Sequence, residues 1–164
     1  MRNPEDTTIN SMTAAPIAAD LHTAIGEGLQ VLQQADETRT TRRLEPEGWC
    51  TREVLGHLID SACNNHRRFV VGQSISTTQF DSYDQNEWVA RQHYDMAPWH
   101  DLVTLWTAYN RHLAHVMAST PDEIAARAAR SPDGSGQVTI AFLMEDYVMH
   151  LRHHLVQLRN LLAA

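Results

Sequence analysis

Apolar residues recur every three or four positions in four stretches of the chain, which polar or proline-containing segments separate. Ile17, Leu21, Ile25, Leu29 and Leu32 form the first, with Pro16 in its opening turn. The stretch LEPEGW then interrupts the pattern. Val54, Leu55, Leu58, Ile59, Ala62 and Phe69 form the second, which the spacing starts at Thr51 as N-cap and stops at Gly72. The third follows Pro98 with Leu102, Leu105, Trp106, Tyr109, Leu113, Val116 and Met117, and ends before Thr120-Pro121. A helical turn in PDEIAARAAR and a loop, SPDGSGQ, precede the fourth, which runs from Thr139 through Ile140, Leu143, Tyr147, Leu151, Leu155, Leu158 and Leu162. No pair of strands with clean alternation is visible, so the pattern predicts an all-α four-helix bundle.

One connection breaks the economy of that picture. About 25 residues separate Gly72 from Pro98, more than the ~2–8 usual between bundle helices. They include Phe80, Tyr83, Trp88, His93 and Tyr94, too aromatic a set for a solvated linker. A short helix near QNEWVARQHY, packed across the bundle as the wall or lid of a site, accounts for both features. At the other extreme, residues 1–14 are polar and read as an N-terminal arm preceding a single domain over 15–164.

Composition narrows the chemistry. The chain has 164 residues, a formal net charge of −7 and 13 basic residues, all arginine. An acidic balance disfavours a general nucleic-acid binder. Without lysine there is no Schiff-base or pyridoxal-phosphate lysine and no P-loop. Cys50 and Cys63 form no CxxC pair, so neither a disulfide framework nor a cysteine-rich zinc site is expected. No stretch approaches the ~20 apolar residues of a membrane span, and the polar start lacks a signal-peptide core, which predicts a cytoplasmic protein. Ten histidines are the conspicuous excess.

Helical geometry sorts them. At ~100° per residue, His154 lies about 20° from Tyr147 in the apolar stripe of the fourth segment, and His150 about 60° away at its margin. His153 falls about 120° off and points outward. Imidazoles at i and i+4 can reach one ion, and His57, at the edge of the second stripe and flanked by Leu55 and Leu58, supplies a third from another helix. Asp60, one turn on, suits an acceptor for the outer N–H of a ligand imidazole. Such a pair alone is also found as core or interface histidines, and His57 could simply bond across the core. His22, His66, His112, His115 and His153 fall on polar or marginal faces, and His93 and His100 flank the connection. Trp106, Tyr109 and Tyr147 have core spacing, and Trp49 suits a hydrophobic staple before the Thr51 cap.

The segments WCTREVLGHLIDS and EDYVMHLRHHLVQL resemble the DinB/YfiT-like superfamily, with its His-Leu-x-Asp turn and C-terminal His-x-x-His-His. YDQNEW (Tyr83 to Trp88) and TPDEI extend the similarity to the YfiT branch and over roughly residues 17–162. Cys50 stands where that family often has serine. The resemblance implies an up-down-down-up four-helix bundle with a divalent ion, nickel or zinc, held by His57, His150 and His154. It also implies a small-molecule substrate and one of two activities. One is transfer of a low-molecular-weight thiol to an electrophile, as in bacillithiol transferases, with the Tyr83–Trp88 segment walling the pocket and Arg91 or another arginine of the connection binding a carboxylate. The other is hydrolysis by water activated on the same ion, which the absence of an HExxH glutamate makes second choice. A non-catalytic binding or dimerisation module is the third reading, and a homodimer is compatible with all three.

Overall fold

The computed structural model describes residues 13–74, 82–131, 134 and 136–164. Most of the expected N-terminal arm (residues 1–12) and Phe80 lie outside them. Four long helices carry the fold: α1 (Ala14–Gln33), α2 (Thr51–Ser74), α4 (Trp99–Ala118) and α6 (Ile140–Ala163), with a short α3 (Gln85–Gln92) in the connection and a single turn, α5 (Asp122–Ala125). They surround one core in which Trp106, Tyr147, Phe69, Leu21, Leu55, Leu113 and Leu151 are fully buried. These residues belong to the periodic stripes, because burying one stripe per helix is what stabilises an amphipathic helix in water.

Contacts fix the directions. Leu32 O accepts from Trp99 Nε1 and Gly28 abuts Trp106, so α1 and α4 are antiparallel neighbours. Arg52 reaches Ala97 O while His66 meets Tyr109, so α2 and α4 run the same way. His57 faces His154, Phe69 faces Tyr147 and Gly72 faces Ile140, so α6 runs against α2. Asp20 pairs with Arg152 and Glu27 with Arg159, which sets α6 parallel to α1. The order is up-down-down-up. Across the centre, Tyr147 OH donates to Asn110 Oδ1 at 2.5 Å, joining the diagonal helices α4 and α6.

The long connection now has its reason. Consecutive helices that run in the same direction require the chain to travel back along the bundle, here past the 24 residues of α2, roughly 36 Å at 1.5 Å per residue. α3 forms on this return, its N-terminus capped by the Asp84 carboxylate, which accepts from the N–H groups of Asn86 and Glu87. It ends at Gln92, earlier than the expected Tyr94, because His93 adopts a left-handed conformation (φ 51°). Tyr94 then inserts beside α2 at Gly56, where an added Cβ would fall 2.1 Å from the ring.

Two local expectations are corrected. Thr51 is the first helical residue and Cys50 takes the cap position: its carbonyl accepts from Val54 N–H, and its own N–H donates to Glu53 Oε2 at 2.8 Å. Glu53, held by Arg43, selects that register as the returning half of a capping box. The stretch after α5 is not helical throughout. Ala128–Arg130 (β1) pairs antiparallel with Gln137–Thr139 (β2), Ala129 opposite Val138, and this hairpin leads into α6, where Thr139 Oγ1 caps Phe142 N–H. Three-residue strands are too short to show alternation, and Ala-Ala-Arg carries no β signal of its own.

The notch at Gly56 gives a paired prediction. Gly56→Ala forces the Tyr94 ring to move and lowers stability by about 1–3 kcal/mol, outweighing the ~1 kcal/mol gain in helix propensity. Gly26→Ala, in open space on α1, raises it by about 0.4–1 kcal/mol. Urea unfolding of the two variants beside the parent measures both signs.

Candidate metal centre

His57 enters the centre from the first half of α2, and His150 and His154 from adjacent turns of α6, brought opposite it by the antiparallel packing of the two helices. Each offers a ring nitrogen, and the three lie within 4.8 Å of one another. His57 Nε2 and His150 Nε2 are 3.2 Å apart, and the ring centroids are separated by 4.6–5.1 Å. His153 is exposed, as its angle on the helix requires.

The outward nitrogens are handled differently at each ring. His154 Nδ1 lies 2.7 Å from Gln157 Oε1, an acceptor, so Nδ1 carries the proton and Nε2 is the free lone pair. His150 Nδ1 lies 3.4 Å from Ser61 Oγ. His57 is 2% exposed, and its Nδ1 is buried without a hydrogen bond, while Trp49 packs against the ring face with centroids 5.0 Å apart. Trp49, read from the sequence as a staple residue, thus covers a histidine and packs against the hydrophobic core. Neither Ser61 nor Gln157 stands out in the sequence, although i+4 from His57 and i+3 from His154 are the positions a helix brings alongside.

Burial, and then the neighbouring His154 and His150, pushes His57 down to about 4; burial, and then His154 and His153, does the same for His150. His154 is also lowered by burial, which its bond to Gln157 opposes. All three are thus neutral near pH 7, the protonation state in which imidazole is a ligand. Two neutral rings with facing Nε2 atoms at hydrogen-bond distance satisfy at most one lone pair between them; a shared cation satisfies every one. The three histidines fit a single divalent ion.

Asp60, expected to accept an outer imidazole N–H, makes no hydrogen bond to any of the three. Its Oδ1 accepts from Tyr94 OH and Gln92 Nε2, each at 2.7 Å, and Oδ2 has no partner. The returning connection reaches this carboxylate first, so Asp60 anchors the connection to α2 one turn beyond His57. Burial raises its pKa and the bonds from Tyr94 and Gln92 oppose that rise.

Beside His57 and His150 lies a cavity of about 220 Å³ that is also lined by Ser61, Asn65, Arg68, Tyr83, Gln85, Asp146 and Tyr147. Tyr83 supplies the expected wall, its phenol pushed up to about 12 by burial and Asp60 and therefore protonated. Trp88 packs against Tyr83 but, with Arg91, lines a separate surface depression. Arg91 pairs with Glu87 on the exposed face of α3; the arginine in the histidine cavity is Arg68. A larger cavity of about 530 Å³ between α1 and α4 contains none of the three histidines; its lining includes His100 and Glu37.

Comparison with known proteins agrees with the fold. The DinB superfamily model matches residues 20–158, and the chain belongs to that superfamily. It is 28% identical over 135 residues to YfiT of Bacillus subtilis, covering 79% of this chain and 75% of the relative. A relative from Oceanobacillus iheyensis, named in equivalent terms, is 25% identical over 114 residues, 70% of this chain and 65% of its own. The solved structure of B. subtilis YfiT, described as "a probable metal-dependent hydrolase with an unusual four-helix bundle topology", superposes with a TM-score of 0.81 at 19% identity, over 98% of this chain and 91% of that one.

The depressed imidazoles predict a pH response of the metal-free protein. Between about pH 6.5 and 4 the unfolded chain binds protons at His57 and His150 that the folded chain refuses, so stability falls as pH drops through that window. The urea midpoint of chelator-treated protein should decline over this range, and the slope should be shallower in a His57→Gln/His150→Gln variant.

Proposed function

We propose that the chain is a divalent-metal-dependent enzyme acting on a small molecule, with zinc or nickel held by His57, His150 and His154. The observation that carries this is the convergence of three neutral imidazoles from two helices, two of them lining a polar cavity. When bound, the ion supplies Lewis acidity that lowers the pKa of a nucleophile beside it. Three protein donors leave room for such a nucleophile, the arrangement of catalytic and not of structural sites. The residues around it have assignable work. Gln157 and Ser61 orient the rings of His154 and His150 through Nδ1. Trp49 shields His57 from water, and Tyr83 presents a protonated hydroxyl to the cavity.

Hydrolysis is the reaction best supported. The relatives are named metal-dependent hydrolases, and two of the three imidazoles line a polar cavity in which a water nucleophile can sit. Transfer of a thiol to an electrophile is the second reading, favoured by Arg68, a cation in the same cavity suited to the acidic groups that small cellular thiols carry.

Untagged protein purified without chelator is expected to contain about one equivalent of zinc or nickel by elemental analysis, and a His150→Ala/His154→Ala variant essentially none. The loaded protein should then hydrolyse members of an ester and amide panel, with His57→Ala abolishing the activity. Conjugation of a thiol without hydrolysis would establish the second reading, and a parent protein that takes up no divalent ion defeats both.

A further inference from the structure

Because α2 and α6 are antiparallel, the cavity is a ladder with one rail on each helix. Along α2, His57 is followed on the cavity side by Ser61, Asn65 and Arg68; along α6, Asp146 stands one turn before His150. We propose that the end of the cavity away from the histidines recognises an α-amino-acid group, its carboxylate on Arg68 and its ammonium on Asp146. The molecule processed beside the histidines would then carry that group. Its relevance to catalysis rests on the metal-enzyme reading above; the binding itself does not.

Arg68 is half-buried and aimed by one bond, Nη1 donating to Asn65 Oδ1 at 3.3 Å, while Asn65 is fixed by its own bond to Ser61 O at 2.9 Å. Among the described residues most of the five guanidinium N–H donors are unused. No carboxylate forms an ion pair with Arg68 among the described residues, although removing a guanidinium from water is costly without one. Asp146 is near enough to act on the charge of Arg68 yet is not bonded to it. A ligand with a carboxylate alone meets repulsion from Asp146, and one with an ammonium alone meets repulsion from Arg68. A zwitterion satisfies both. On a chain of net charge −7, capture of any carboxylate needs a local cation of this kind. At about 220 Å³ the cavity is below the ~300–1,000 Å³ of sites for drug-sized ligands, which suits a small amino acid or its derivative. Four residues of α6 separate Asp146 from His150, about 6 Å, so the reacting atom belongs to the part of the ligand one helical turn away from its zwitterionic head.

Three probes that share a propyl chain test this with chelator-treated protein, which removes chelation of the ion by the amino acid: L-2-aminobutyrate, butyrate and propylamine. Titrations followed by ¹H–¹⁵N chemical shifts should show 2-aminobutyrate binding at least about tenfold tighter than either single-charge probe. Arg68→Gln should reduce it to the level of propylamine, Asp146→Asn to the level of butyrate, and Arg68→Lys should restore part of the loss. Arg91→Gln, on the exposed face of α3 outside this cavity, should leave it unchanged. Equal or absent binding of the three probes to the parent protein overturns the proposal, as does undiminished 2-aminobutyrate affinity in Arg68→Gln. Metal content, measured separately, tells the two failures apart: a protein that loads metal but ignores the probes retains the enzyme reading alone.

Discussion

Two consecutive long helices pointing the same way are the constraint from which the rest of this molecule follows. An up-down bundle closes with short turns; α2 and α4 cannot, and the chain must return along the body before α4 begins. That return is where the site acquires its wall. Tyr83 reaches the histidine cavity from it, Gln92 and Tyr94 bind Asp60, and Arg52 ties its last residues to the start of α2 through Ala97 O. The same topology makes α1 and α2 diagonal, so that α2 packs between α4 and α6 and can bring His57 opposite His150 and His154.

The centre illustrates how a dry environment prepares a ligand set. In water each imidazole would titrate near pH 6.5, and three of them together would repel as cations. Burial keeps His57 and His150 neutral to about pH 4, so the donor electrons are available without proton loss at the moment of binding. The cost is an unsatisfied nitrogen on His57 and two Nε2 atoms 3.2 Å apart that share at most one hydrogen bond, tension of the kind that functional sites retain and ordinary cores eliminate.

The sequence shows the four helices and the three histidines plainly because both rest on period. Residues such as Leu151 and Leu155 mark a stripe, and the angle of each histidine from that stripe separates His150 and His154 from His153 without reference to any partner. What period cannot show is contact between segments distant in the chain. Asp60 lies on the correct face of α2, but its partners Gln92 and Tyr94 come from a stretch whose path depends on helix direction. Likewise the sequence points to Arg91 or another arginine of the connection, whereas α2 itself supplies Arg68 from eleven residues beyond His57. The Cys50 cap is missed for a local reason: a thiol has little capping power, and the position is set by Glu53 reaching back to its N–H.

Tyr94 fills the gap left by the missing side chain at Gly56 and bonds Asp60 with its hydroxyl, so one phenol grips α2 on both sides of His57. The helix is keyed to the connection as a shaft is keyed to a wheel: it can neither slide nor turn without expelling the ring. The azimuth of His57 is thereby indexed by a residue that approaches from outside its own helix. Divergence in the connection that spares this key is free to reshape the cavity wall while the imidazole stays in place, which separates the evolution of the cavity's shape from that of the histidine cluster.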